Sequence, residues 1–150
     1  MAITERQNRI VNEALESMGI DPTVCTREDA PNVWNLHRGK AQIIAVLQES
    51  TILQDSKAVT LTIMSPMFKV SNKASERLAT YQYILEANHR LTTETFSVSK
   101  DWIILSATYY MDDMSLREVR QLIDGLSFHA QQFLAYFTNE EETEDETKSK

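Results

Sequence analysis

The hydrophobic pattern of residues 101–137 predicts a long strand, a short acidic turn and a long helix. Residues 102–111 are rich in β-branched and aromatic side chains, and both alternating faces are largely apolar, which predicts a central strand covered on both sides. Ser115 and Glu118 follow with the spacing of a capping box. The next apolar positions recur at steps of three and four and predict one helix: Leu116, Val119, Ile123, Leu126, Ala130, Phe133 and Phe137.

The N-terminal segment predicts a helix followed by a loop. Thr4 is a suitable N-cap, and the spacing of five apolar residues predicts a helix over about residues 4–18. The stripe consists of Ile10, Val11, Ala14, Leu15 and Met18. Gly19 can end this helix because glycine adopts the left-handed conformation without steric cost. Residues 21–32 contain two prolines and predict a loop.

Three strands are predicted after this loop. Residues 33–36 form a short first strand, and Gly39 supplies a positive φ for the turn into the second strand, residues 41–47. Residues 48–57 are polar at both ends and predict a loop, but Ile52 and Leu53 lie within it, which leaves open a longer second strand. The third strand alternates apolar and polar residues and is ended by a Ser-Pro pair: Val59, Leu61 and Ile63, then Ser65 and Pro66.

A second helix and a fourth strand occupy the middle of the chain. Residues 93–98 predict the strand, with Phe96 and Val98 facing inward, and residues 99–101 predict a tight turn into the strand at 102–111. The helix before it has Asn72 as its candidate N-cap. Its apolar stripe consists of Ala74, Leu78, Tyr81, Ile84, Leu85 and Asn88.

The element order is therefore helix, three strands, helix, two strands, helix. Short turns between neighbouring strands predict antiparallel pairing, and helices must cover at least one face of the sheet. The prediction is an α+β fold, α-β-β-β-α-β-β-α, with an antiparallel sheet packed by helices in a single domain over residues 1–139. Residues 140–150 predict an acidic disordered tail, because like charges repel and no apolar residue anchors them.

Composition bounds the location of the protein. The chain has 150 residues and one cysteine, Cys25, so a disulfide framework is excluded and a reducing compartment fits best. No apolar run approaches the ~20 residues that a membrane-spanning helix needs. The N-terminus lacks the charged-then-apolar layout of a signal peptide. A cytoplasmic location is expected.

Charge argues against one class of partner. The formal net charge is −7, and residues 140–150 contribute −4 of it with six acidic residues and two lysines. The predicted domain is therefore only mildly acidic, at −3. It has no basic stripe and no basic–aromatic patch, so nucleic-acid binding through phosphate contacts is not expected.

The histidines and the cysteine show no catalytic or metal-binding arrangement in the sequence. His37 lies in a predicted turn, His89 near the end of the second helix and His129 on the last helix. No two of them have the spacing of metal ligands on one element, and no Cys/His cluster exists. Cys25 has no identified histidine partner. We expect surface or partly buried histidines and no metal site.

Two short motifs have functional counterparts that the surrounding sequence does not support. Ser97 and Lys100 match the serine–x–x–lysine pattern of penicillin-recognising enzymes, which requires the serine at a helix start and two companion motifs. Here the pattern lies across a strand and a turn, and both companions are missing. Asp112 and Asp113 could bind a metal or act as an acid–base pair, but we favour a favourable interaction with the dipole of the following helix. We expect a non-enzymatic protein without a cofactor.

The chain has more aromatic and methionine residues than its regular stripes require. Such side chains are enriched in protein–protein interfaces. Most of them are expected to be core, and a partner surface is the expected use of the remainder. This surplus consists of Trp34, Met64, Met67, Phe68, Tyr81, Tyr83, Tyr109 and Tyr110.

The element order and several short phrases resemble the YbjN-like proteins, which share the fold of type III secretion chaperones. The resemblance covers about residues 4–138. None of the phrases is a catalytic signature. They are Ile63-Met64-Ser65-Pro66, Ile84-Leu85-Glu86-Ala87-Asn88, Phe96-Ser97-Val98 leading to Asp101-Trp102-Ile103, and Met114-Ser115 at the start of the last helix.

The resemblance implies a small bacterial cytoplasmic dimer that binds a peptide segment of a partner protein. In the chaperone branch the second helix commonly lies at the dimer interface, and partner chains wrap over apolar sheet and helix-one surfaces. Carried onto this chain, the dimer-interface candidates are Leu78, Tyr81, Leu85 and Asn88. The partner-binding candidates are Trp34, Met64, Met67 and Phe68.

Three functional hypotheses follow. The leading one is a non-enzymatic, chaperone-like module that binds proteins or peptides as a homodimer, by burying apolar side chains of a client and by strand addition at a sheet edge. The alternative is a regulatory or adaptor protein in a fixed protein complex, of the kind the YbjN resemblance suggests. An enzyme with a cryptic site is the third, and a deep pocket lined by convergent polar groups would favour it.

Overall fold

The computed structural model describes the backbone of residues 3–53 and 56–148 and the side chains of residues 3–51 and 57–138. Within these residues four helices and five strands follow one another along the chain. They are α1 (Glu5–Ser17), α2 (Pro22–Cys25), β1 (Val33–Arg38), β2 (Ala41–Leu53), β3 (Ser56–Lys69), α3 (Ala74–Arg90), β4 (Thr95–Ser99), β5 (Trp102–Tyr110) and α4 (Leu116–Lys148).

The described strands form one sheet in the order β1-β2-β3-β5-β4, and every neighbouring pair is antiparallel. The predicted α+β fold with an antiparallel sheet is confirmed. α4 lies across β2, β3 and β5, and α1 packs beside α4. Both helices therefore cover the same face of the sheet, and the opposite face carries no helix among the described elements.

The hydrophobic core lies between this covered face and the helices. Its strand residues alternate along β2, β3 and β5, as the period of two requires. The helix residues of α4 recur at the predicted steps of three and four. Among the fully or nearly fully buried side chains are Ile43, Leu61, Ile63, Ile103 and Leu105 from the sheet and Val119, Ile123, Leu126 and Ala130 from α4.

The position predicted for the strand at 102–111 is wrong in two respects. β3 occupies the centre of the sheet, and β5 lies one strand from the edge. Only one face of β5 is covered: Ile103 and Leu105 are buried, whereas Trp102 and Tyr110 on the other face are exposed. A run that is apolar on both faces shows that both could be buried, but it does not show that the chain itself covers both.

β2 and β3 are longer than the sequence predicted. The loop predicted over residues 48–57 belongs largely to strands, because β2 reaches Leu53 and β3 begins at Ser56. β3 also passes through Ser65-Pro66 and ends at Lys69, instead of ending at the proline. A register shift between Pro66 and Phe68 accommodates the proline, which has no N–H to donate to the ladder.

Two local assignments are corrected by hydrogen bonds of short polar side chains. The loop predicted over residues 21–32 contains the one-turn helix α2, where the Asp21 side chain accepts from Thr23 N at 3.0 Å. Asn72 does not cap the next helix. α3 begins after Lys73, whose own N–H donates to Ser71 Oγ at 3.2 Å.

Three predicted helix and turn signals are confirmed. Thr4 is the N-cap of α1 and forms a reciprocal capping box with Gln7. Ser115 and Glu118 exchange the same pair of bonds before α4, at 3.2 Å each. Gly39 has a φ of +61° in the turn between β1 and β2.

Two further expectations differ from the structure. The backbone of α4 continues as helix to Lys148, where the sequence predicted a disordered tail from residue 140. Glutamate is a good helix former, and extending a packed helix avoids the cost of nucleation. Val98 shares the inward face of Phe96 by register but is 45% exposed, because β4 is an edge strand and leaves it at the rim.

Candidate partner-binding surfaces

α3 has an apolar stripe on its outward face. Leu78 and Leu85 are 69% and 67% exposed, and Tyr81 between them is half-buried. Tyr81 lies three residues after Leu78 and four before Leu85, so the three side chains share one side of the helix. The inward side of the same helix buries Ile84 and Ala87. α3 is therefore apolar on two sides, and this chain covers only one of them.

The outward stripe borders a shallow groove of about 600 Å³ that runs along α3. Leu78, Tyr81 and Leu85 supply its apolar surface, and Glu86 and Arg90 lie at its polar rim. Exposed leucines that form a continuous patch rimmed by polar residues are typical of protein-interaction sites.

Asn88, predicted on the same stripe, faces inward instead. Its side-chain amide donates to Phe96 O at 3.0 Å, and its carbonyl oxygen accepts from Phe96 N at 2.7 Å. The two bonds fasten α3 to β4 through both backbone groups of one residue. The structure therefore brings together Leu78, Tyr81 and Leu85 but separates Asn88 from them.

The four partner-binding candidates lie in three different environments. Trp34 is fully buried in the core, and its indole Nε1 donates to Asn12 Oδ1 at 2.8 Å, so it presents no surface to a partner in this structure. Met67 is also buried, at 7% exposure. Met64 is half-buried on the uncovered face of the sheet, and Phe68 is half-buried beside α4.

The uncovered sheet face is the second candidate surface. It carries half-buried apolar side chains at Ile44, Val46, Met64 and Ile104. A hydroxyl row runs beside them, in which Thr62 Oγ1 lies 2.9 Å from Thr108 Oγ1. A surface of apolar and hydroxyl side chains is suited to a partner that binds and dissociates, because the hydroxyls hydrogen-bond to one another when no partner is bound.

A third surface, here named the α3–α4 cleft, opens between the end of β3, α3 and α4. It has a volume of about 590 Å³ and is lined by Met67 and Phe68 on one side and by Leu134 and Phe137 on another. The ring centroids of Phe68 and Phe137 are 4.6 Å apart, and Tyr83 from α3 lies 5.4 Å from Phe137 in an edge-on arrangement.

Sequence reasoning missed this cleft. Phe137 was assigned to the core stripe of its helix, and Tyr83 belonged to the aromatic surplus without a role. Met67 and Phe68 were partner-binding candidates, but nothing in the sequence placed them beside α3 and α4. Only the fold brings these three elements together. The one available signal was the surplus itself, since its members Phe68 and Tyr83 both line this cleft.

The polar candidates are dispersed. His37 and His89 are exposed. His129 Nδ1 lies 2.9 Å from Oε1 of the buried Glu94, and the Thr93 hydroxyl donates to Glu94 Oε2. Among the described residues, no group of three or more His, Cys, Asp or Glu side chains is placed to hold a metal ion. Ser97 lies in β4, not at a helix start.

Cys25 and the aspartate pair show no sign of a reactive site. Burial raises the pKa of the Cys25 thiol, and the negative charge of Asp21 raises it further. A raised pKa leaves less nucleophilic thiolate at neutral pH. Asp112 and Asp113 are both exposed in the turn after β5. Within the described part of the chain, no helix is long and apolar enough to cross a membrane.

Comparison of the whole chain with known proteins gives matches only at the level of structure. No protein-family model and no curated protein sequence matches it. The ExsC–ExsE complex contains a chain that matches with a TM-score of 0.58 and 14% identity, over 90% of this chain and 96% of that chain. The chain has the fold of type III secretion chaperones.

Two further chaperone structures support this assignment of the fold. The Yersinia pestis type III secretion chaperone SycH, in complex with a stable fragment of YscM2, matches with a TM-score of 0.56 and 11% identity, over 84% of this chain and 98% of that chain. The HopA1–SchA chaperone–effector complex matches with a TM-score of 0.55 and 8% identity, over 89% and 99% of the two chains. The chaperone fold thus spans nearly the whole of each neighbour.

Proposed function

We propose that this protein is a non-enzymatic, chaperone-like module that binds a segment of another protein and acts as a homodimer. The observation that carries the proposal is the exposed stripe of Leu78, Tyr81 and Leu85 on α3. The matching structures support it, because each was determined with a partner protein bound to a chain of this fold. A cytoplasmic location and a relationship to the YbjN-like proteins are parts of the same proposal, and a regulatory or adaptor role in a fixed complex is its alternative.

The stripe suits pairing with a second copy of itself. Two-fold dimers use the same patch on both subunits, so that residue i of one copy contacts residue j of the other and the reverse. Antiparallel packing of two α3 helices would lay Leu78 of one copy near Leu85 of the other, with Tyr81 close to the axis. Each leucine buried in this way contributes about 1.5–3 kcal/mol.

Client binding is assigned to the surfaces that such a dimer leaves open. The uncovered sheet face offers Ile44, Met64 and Ile104 to apolar side chains of an extended segment. The strands β1 and β4 are the two edges of the sheet. Asn88 already bonds both backbone groups of Phe96 on β4, so β1 is the edge proposed for strand addition. In this mechanism hydrogen bonds to the backbone give affinity, while the apolar positions select alternate side chains of the client.

The test of the dimer replaces both exposed leucines by charges. We expect the wild-type chain to be a dimer by sedimentation equilibrium and the Leu78→Glu/Leu85→Glu variant to be a monomer, because two carboxylates per subunit would have to be desolvated at the interface. Ser75→Glu is the matched control, since Ser75 is exposed on α3 outside the groove. A wild-type monomer at every concentration would contradict the homodimer.

The test of protein binding is affinity purification of the tagged chain from its own host, followed by mass spectrometry. An aggregation-prone or exported protein held by the dimer would support the chaperone function. One stoichiometric partner within a stable assembly would move the conclusion to the adaptor alternative. Absence of any protein above the level of a tag-only control would contradict both.

A further inference from the structure

The α3–α4 cleft has walls suited to an apolar side chain. Its aromatic rings come from three elements that are far apart in sequence, and they pack on one another at centroid distances of 4.6–5.5 Å. Rings that support one another form flat, rigid walls at low entropic cost. The volume of about 590 Å³ lies within the ~300–1,000 Å³ range of ligand pockets.

The charge around the cleft is uneven. Lys69 and Glu76 line it with opposite signs and give no preference for an anion or a cation. The wall formed by α4 ends at Thr138, and the same helix continues to Lys148 through a sequence that contains six acidic residues. Residues 140–150 carry a net charge of −4. Charge complementarity therefore favours a basic ligand beside an apolar anchor.

We propose that the α3–α4 cleft takes one apolar side chain from a basic segment of a partner protein, whose lysines or arginines lie along the acidic end of α4. The inference rests on the proposed protein-binding function and specifies the chemistry of one bound segment. The apolar anchor contributes affinity by burial. The basic flanks accelerate association and select against acidic segments.

The cleft stays accessible in the proposed dimer. Ala79, Thr80 and Tyr83 line it, and they lie on the other side of α3 from Leu78 and Leu85, since each residue advances the helix by ~100°. A dimer that covers the leucine stripe would leave the cleft open. The two surfaces can therefore be tested separately.

The experiment measures fluorescence anisotropy of dye-labelled peptides with the full-length chain. The main probe has one phenylalanine among lysines. One comparison peptide has glutamates in place of the lysines, and another has alanine in place of the phenylalanine. We expect the lysine–phenylalanine peptide to bind at least about tenfold more tightly than either, because each comparison removes one of the two attractions.

Variants locate the binding site. Ala79→Trp fills the cleft with an indole and is expected to weaken binding by at least about tenfold, with Thr80→Trp as a second variant at a neighbouring lining position. Ser75→Trp, exposed on α3 outside the cleft, is expected to stay within about twofold. Replacing Glu140, Glu141 and Glu142 together by glutamine is expected to weaken binding by at least about threefold at low salt.

Two results would overturn the inference: equal affinity for the lysine and glutamate peptides, or unchanged affinity in both tryptophan variants. No binding of the main probe to the wild-type chain would do the same. These failures differ from failure of the proposed function. A wild-type chain that is a monomer by sedimentation equilibrium, or that retains no host protein above a tag-only control, would contradict the proposed function, whereas the peptide assay measures binding at the cleft alone.

Discussion

At the scale of single residues, Gly39 combines two steric constraints. Its φ of +61° lies in the left-handed region, and a Cβ added there would be 2.6 Å from Gln131 Oε1 on α4. We expect Gly39→Ala to lower the free energy of unfolding by about 1–2 kcal/mol, because the conformation is strained for alanine and the glutamine must move. Urea denaturation with an unchanged slope measures the loss.

A control glycine and a double variant separate the backbone strain at Gly39 from its steric contact with Gln131. Gly125 lies within α4, and a Cβ there would meet no atom within 4 Å, so Gly125→Ala is expected to stabilise by up to about 1 kcal/mol. Adding Gln131→Ala to Gly39→Ala should recover the steric part of the loss but not the backbone part. Equal stability of Gly39→Ala and the wild-type chain would show that the turn rearranges freely.

At the scale of elements, Asn88 links α3 to the edge strand β4 through two hydrogen bonds. Asn88→Ala removes the partners of both Phe96 N and Phe96 O, and Phe96 is buried. We expect a loss of about 1–3 kcal/mol, because a buried backbone group without a partner keeps its full desolvation cost. Hydrogen exchange of the Phe96 amide should accelerate together with that of β4.

The control for this prediction lies on the same helix. Gln82 is exposed, and its side-chain amide donates to the exposed Glu86 at 3.3 Å, so Gln82→Ala should change stability by no more than about 0.5 kcal/mol. Asn88→Asp keeps the acceptor for Phe96 N and removes the donor to Phe96 O, and an intermediate loss is expected. Unchanged hydrogen-exchange protection of β4 in Asn88→Ala would show that Asn88 does not hold α3 and β4 together.

The elements also show which parts of the structure the sequence could predict. Period and capping chemistry are local, so α1, α4 and the antiparallel order of strands were correct in type. The extension of β3 through Pro66 was not predicted, because a bulge depends on pairing with the neighbouring strand β5. Pairing also made strands of the polar ends of β2 and β3, where Ser50 Oγ lies 3.0 Å from Thr60 Oγ1.

The candidate surfaces were predictable only in part, for a physical reason. Leu78, Tyr81 and Leu85 were recognised as apolar, but periodicity does not distinguish the side of α3 that the chain buries from the side left to a partner. Trp34, a partner-binding candidate from the aromatic surplus, lies fully in the core. Exposure is a property of the fold, and residue type alone does not determine it.

At the scale of the whole molecule, negative charge is concentrated at one end. Residues 140–150 hold −4 of the net −7, and residues 140–148 continue α4 at its C-terminal end, where the helix dipole disfavours acidic groups. Repulsion between these groups opposes the helix that their intrinsic propensity favours. The helicity of this segment is therefore expected to depend on ionic strength, unlike that of the packed part of α4.

Raising the salt concentration from about 0.01 M to 0.15 M shortens the Debye length from ~30 Å to ~8 Å and screens this repulsion. We expect carbon-13 chemical shifts of residues 140–148 to move toward helical values over this range, while those of residues 119–130 stay constant. Glutamine at Glu140, Glu141, Glu142 and Glu144 should raise the helicity at low salt and remove most of the dependence. A salt response of equal size in the glutamine variant would mean that carboxylate repulsion does not limit the helix.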